Sequence, residues 1–222
     1  MLEILIFSII SIFFVIPPLF VDGQFVQSID FSTFSFINFY HFIIAIFLVY
    51  FYKNSFENFS LNTKYILKNF FGLIISFLII LLVSKLLNYI AFQFFDNENS
   101  IISNSVFVNK PESFAEYFVS ILNLIFASFF EETIYRFYLP VFLIRLFVNK
   151  FSNPKLKTIL FLILESFVLL IFAFSHRYLG SFSVINAGIA HLIFRITFIY
   201  TKNIYTTSIA HFIYNFYSLI CY

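Results

Sequence analysis

Glu131 and Glu132 are adjacent carboxylates, and Arg136 follows within a stretch from Phe118 to Leu146 that is otherwise mostly apolar. An ionised side chain near the centre of a bilayer costs about 2.5–3.5 kcal/mol on insertion scales. Three such groups so close together must face a protein interior or a wet cavity. On a helix Glu132 and Arg136 are one turn apart and can pair. Glu131 lies about 100° round the axis and is free to point elsewhere. The simplest reading is a buried structural ion pair with a spare acid, but two later segments add to it. Phe172 and His176 are four residues apart, which places an aromatic ring one turn below the imidazole. His211 and Asn215 have the same spacing, so both side chains share one helical face and can converge on one substrate atom. A carboxylate and two histidines suit proton transfer near neutral pH. A membrane histidine alone reads as packing, and His41 is taken as a satisfied interior residue. Three segments that each bring a proton-transfer or hydrogen-bonding group are much harder to read that way.

The elements that must position these groups follow from composition. Of 222 residues, 61% are hydrophobic and 11% charged, with a mean hydropathy of +0.96. Soluble domains are roughly 25% charged. Such a chain cannot cover a water-facing surface, so it reads as an integral membrane protein. The basic residues are few and scattered, which gives no footprint for nucleic acid. The single Cys221 excludes an internal disulfide and a cysteine metal cluster. Apolar stretches run over Ile4–Val21, Phe31–Tyr52, Asn69–Phe95, Phe114–Val148, Thr158–Ser175, Phe182–Thr201 and Ile204–Tyr222. A span of a ~30 Å hydrocarbon core takes about 20 residues, and backbone polar groups in lipid must be satisfied internally. The expectation is an all-α polytopic bundle of about seven transmembrane helices (seven to eight), with the site inside it. The first stretch lacks a basic n-region and a small-residue cleavage site, and reads as a retained span. Pro140 is expected to kink the fourth.

Lys and Arg set the expected orientation. Lys53, Lys64 and Lys68 share one connector, Arg145, Lys150, Lys155 and Lys157 surround another, and Lys202 marks a third. The opposite connectors hold Lys110 and Arg177 with Asp22, Asp30 and the acidic segment 96–116. A cytoplasmic N-terminus and an external C-terminus follow. An interfacial helix within residues 96–113 would leave this count unchanged.

Taken in order, Glu131-Glu132-x-x-x-Arg136, Phe172-x-x-x-His176 and His211-x-x-x-Asn215 resemble the signature of the CAAX protease and bacteriocin-processing (CPBP, or Abi) family. These intramembrane proteases include the type II CAAX prenyl endopeptidases. The resemblance spans roughly Ser128 to Phe216, and Tyr200–Ile204 looks like the family's lead-in to its last motif. Residues 114–222 are thereby expected to form a catalytic helical core, and residues 1–113 to supply transmembrane helices of unassigned role. His191 and Arg195 depart from the small and apolar residues more usual in the sixth span.

The resemblance implies Glu131 as general base, holding and deprotonating a water together with His176. His211 and Asn215 would donate hydrogen bonds to the oxyanion, while Glu132 and Arg136 order the helix and set the field around Glu131. No Ser or Cys sits in a recognisable nucleophile motif, which favours direct attack by water. A zinc reading competes, with Glu131, His176 and His211 as ligands and an open position for water. No H-E-x-x-H helix supports it, and Asn215 is better suited to hydrogen bonding, so metal-independent hydrolysis is the first expectation. The implied substrate is a membrane-associated peptide or protein, in a bacterial cytoplasmic membrane. The alternatives are a non-catalytic immunity or partner-binding protein of the same family, and a transporter with a Glu/His proton relay. Glu165 and Arg195 would belong to that relay, though a structural ion pair is the simpler reading. One distance stays open. By helical rise Glu131 and His211 come out deep in the membrane and His176 near its external edge.

Overall fold

The computed structural model describes residues 2–21, 28–52, 65–95 and 107–221. Lys53, Lys64, Asp22 and most of the segment expected to hold an interfacial helix lie outside the described residues. Among the described residues seven helices follow one another: α1 Leu2–Phe20, α2 Phe36–Tyr52, α3 Ile66–Phe95, α4 Phe114–Val148, α5 Pro154–Phe174, α6 Ser181–Thr201 and α7 Ile204–Cys221. Five are long and apolar enough to cross a membrane: Leu2–Phe20, Ile66–Gln93, Phe114–Val148, Pro154–Phe174 and Ser181–Thr201. The protein is an all-α integral membrane bundle. The seven expected spans are thus seven helices, of which five meet the length and hydropathy a crossing needs. Large apolar side chains such as Ile66, Leu82, Phe114, Leu162 and Ile196 are exposed on the outside, while Glu132, Arg136, His191 and His211 are buried.

The second helix starts later than its apolar run suggested, and local hydrogen bonds are the reason. Ser32 donates its N–H and its hydroxyl to Asp30 Oδ1 at 2.7 and 2.6 Å, a turn that competes with helix. Ser35 then caps α2, accepting the Asn38 N–H at 3.2 Å. The extended backbone before it is gripped by Asn123 of α4. Asn123 Nδ2 donates to the carbonyls of Phe31 and Thr33 at 3.1 and 2.7 Å, and its Oδ1 accepts the Ser35 N–H at 3.0 Å. A short parallel ladder, β1 Ser28–Asp30 with β2 Phe107–Asn109, closes the same end.

Proline and capping residues shape the other helices. Pro17 and Pro18 supply no N–H, so α1 first widens, with Ile16 N–H donating to Ser11 O at 2.9 Å, and then tightens over Pro17–Phe20. Helix α4 begins in a reciprocal box between Ser113 and Glu116. Asn153 caps α5 ahead of Pro154. Lys202, in the left-handed region at φ 56°, turns the chain from α6 into α7.

The basic ends of the helices meet at one end of the bundle. Lys68 Nζ lies 4.4 Å from the Tyr200 ring centroid, and Arg145 pairs with Glu3 at 3.1 Å. At the same end α3 and α6 approach closely through Gly72, where an added Cβ would lie 2.7 Å from Thr201 Cγ2. Small residues allow such contacts between membrane helices. Gly72→Val is expected to lower stability by about 1–3 kcal/mol through overpacking, read as a lower melting temperature of the detergent-solubilised protein.

Candidate active site

Helix α4 positions the two acids through a wide turn. From Thr133 to Tyr138 the backbone is π-helical, and the Leu139 N–H reaches back to Ile134 O. Pro140 sits just beyond it, so the expected kink takes the form of this widening. Glu132 and Arg136 are fully buried, with Arg136 Nε 3.4 Å from Glu132 Oε1. The guanidinium also lies over the Phe172 ring, 3.9 Å from its centroid. Glu131 points the other way, about a quarter exposed at 27%.

Two imidazoles meet Glu131. His176 Nε2 is 4.0 Å and His211 Nε2 3.9 Å from Glu131 Oε2. The open distance closes through the hairpin of α4 and α5. Glu131 lies ~25 Å from the end of α4 and His176 ~33 Å from the start of α5, within about a turn and a half of one another in height. Helix α5 stops at Phe174, and a turn with His176 N–H on Ala173 O at 3.1 Å brings the ring inward. His211 arrives differently. Ile204 and Thr207 are fully buried, so α7 starts inside the protein and its second turn is already at the site.

The Nδ1 contacts of the two rings fix which atoms face Glu131. His176 Nδ1 lies 2.9 Å from the Phe172 carbonyl oxygen and 3.2 Å from Ser175 Oγ. A carbonyl only accepts, so Nδ1 carries hydrogen and Nε2 of the neutral ring presents a lone pair. His211 Nδ1 lies 2.9 Å from Glu132 Oε1; Glu132, as the counter-ion of Arg136, accepts there too. His211 Nε2 therefore donates only when the ring is an imidazolium. His211 Nε2 and His176 Nε2 both face Glu131 Oε2.

Asn215 lies one turn along α7 from His211, with its Nδ2 3.5 Å from Ser128 Oγ. The structure brings Glu131, His176 and His211 together and leaves Asn215 one turn away. Phe172 is packed between Tyr135, at 5.0 Å between ring centroids, and His176, at 4.7 Å. Tyr214, next to Asn215, accepts from Asn186 Nδ2 at 2.8 Å and donates to Ser84 Oγ at 3.0 Å, tying α7 to α6 and α3. His41 stacks on Phe130 with centroids 4.3 Å apart. Ser175 and Tyr178 escaped sequence reasoning, since neither belongs to a spaced pair. Burial pushes the Tyr178 phenol up to about 12, and the nearby negative charge of Glu131 adds to this, so its hydroxyl stays a neutral donor.

A zinc ion fits this arrangement poorly. Two donors on a tetrahedral zinc with bonds of ~2.0–2.1 Å lie about 3.4 Å apart, closer than the separations found. Among the described residues no group of three or more His, Cys, Asp or Glu side chains is set to hold a metal.

Residues 113–217 match the model of the type II CAAX prenyl endopeptidase Rce1-like family. This segment is similar to that family. The Rce1-like match takes in α4 to α7 almost entirely and leaves α1, α2 and α3 outside it. No match was found among curated proteins or among solved structures. The match points to a protease, and the site lies within the matched segment.

Proposed function

We propose that the protein is an intramembrane endopeptidase that hydrolyses a peptide bond of a membrane-associated peptide or protein with a water held by Glu131 and His176. The convergence of Glu131, His176 and His211 from three separate helices carries this reading. The water oxygen attacks the scissile carbonyl carbon while Glu131 takes its proton, with His176 Nε2 holding the second hydrogen. The C=O π pair moves onto oxygen, where the His211 Nε2–H and, one turn on, the Asn215 amide donate to the developing charge. Collapse of the tetrahedral intermediate breaks the C–N bond, and the proton on Glu131 passes to the leaving amine. Glu132 holds His211 in orientation, and Arg136 balances the charge of Glu132. The family's description suggests a prenylated C-terminal peptide as one substrate class; a secreted-peptide precursor is the other. The clustering of Lys68, Arg145 and Lys202 at one end supports a cytoplasmic N-terminus there.

His176→Ala and His211→Ala should each lower kcat by about 10²–10³-fold, the scale of a lost transition-state partner, in protein that stays folded. Activity should survive exhaustive chelation. Loss on chelation, restored by added zinc, would overturn the metal-free mechanism.

A further inference from the structure

The Glu165–Arg195 pair lies between α5 and α6, and its contacts extend beyond an ion pair. Arg195 Nε donates to Glu165 Oε2 and Oε1 at 2.9 and 3.2 Å, and Nη2 donates to Oε1 as well. Nη1 is not needed for this pairing and instead donates to the backbone carbonyl of Arg136 at 2.7 Å. In an α-helix that carbonyl would accept the N–H of the residue four positions on. That residue is Pro140, which has none. Arg136 is fully buried, so water from outside cannot take the place of the missing donor.

We infer that Arg195, held in register by Glu165, is a positioning residue that replaces the donor withheld by Pro140 and so fixes the wide turn that aims Glu131 and Glu132. The inference rests on the protease reading for its effect on rate, though not for its geometry. Adding one residue to a helical turn rotates the segment before it by about 100° relative to the segment after it. Whether this turn stays wide therefore decides how the two acids meet the histidines. Arg136 transmits the grip further. Its side chain touches Glu132, which orients His211, and Phe172, whose carbonyl orients His176. One carbonyl bond thus bears on all three groups around the water.

A pair that only joins two helices would be replaceable by apolar residues of similar volume at little cost. The test compares wild type with the double variant Arg195→Met/Glu165→Met, which removes the pair without stranding a charge. The triple variant adds Pro140→Ala and so restores an internal N–H. Arg195→Lys keeps the charge and loses the planar fork, and it serves if the double variant does not fold. Each protein is solubilised, its melting temperature measured, and its acids labelled with dicyclohexylcarbodiimide, with Glu131 and Glu132 quantified by peptide mass spectrometry. Cleavage kinetics are measured on a peptide that the wild type processes and Glu131→Gln does not.

In folded double variant the Glu131-to-Glu132 labelling ratio should fall about tenfold. kcat should fall about 100-fold with KM little changed, the scale of a misplacement of ~1 Å. Arg195→Lys should lie between these values and wild type, and Pro140→Ala should recover most of both losses. A folded double variant, or failing that Arg195→Lys, with wild-type labelling overturns the inference. A loss that Pro140→Ala leaves untouched overturns it too. If the wild type cleaves nothing, the protease reading falls, and the labelling ratio still decides whether Arg195 sets the turn.

Discussion

Glu131→Gln is expected to lower kcat by about 10²–10⁴-fold, the usual contribution of a positioned general base, with little change in melting temperature. The carboxamide keeps the volume and one acceptor oxygen but cannot take the water's proton. Its partial exposure means that no buried charge is left stranded by the change. KM should move much less than kcat, because the acid acts on the water and not on the substrate's flanking residues. Glu131→Asp draws the carboxylate back by one methylene and should retain intermediate activity. A Gln variant that cleaves at the wild-type rate would remove Glu131 from the mechanism.

Glu132→Ala is expected to act on stability first. It leaves Arg136 fully buried without its counter-ion, and breaking a buried pair on one side typically costs about 3–5 kcal/mol. It also strips His211 Nδ1 of the acceptor found at 2.9 Å. Glu132→Gln keeps an oxygen for that bond and should be the milder of the two, and Glu132→Ala/Arg136→Met should recover part of the loss. Thermal unfolding of the solubilised proteins ranks the three. Equal melting temperatures for Glu132→Ala and wild type would mean that the pair carries no structural weight.

Much of this was legible in the sequence. The bounds of α4 follow from its apolar run, and the i,i+4 spacings placed His211 with Asn215 and Phe172 with His176. The spacing also paired Glu132 with Arg136, and the structure confirms that contact. What periodicity could not supply was anything set by a tertiary donor. The wide turn before Pro140 depends on Arg195 from another helix. The second carboxylate bond, from His211 to Glu132, joins residues far apart in the chain. Counting rise from polar loops also set Glu131 and His211 apart in depth from His176, because α4 is much longer than one crossing and α7 begins at a buried Ile204. The late start of α2 escaped for a related reason. Asp30 and Ser32 close a local turn, and Asn123 of α4 holds the backbone just beyond it.

The most direct test compares the membrane peptides of cells producing the wild type with those producing Glu131→Gln at equal levels, using mass spectrometry of chain termini. New termini that appear with the wild type, vanish with Glu131→Gln and are equally lost with His176→Ala are the expected result. Identical sets of termini from all three, with each protein folded in the membrane, would contradict a water-activating acid at the centre of this bundle.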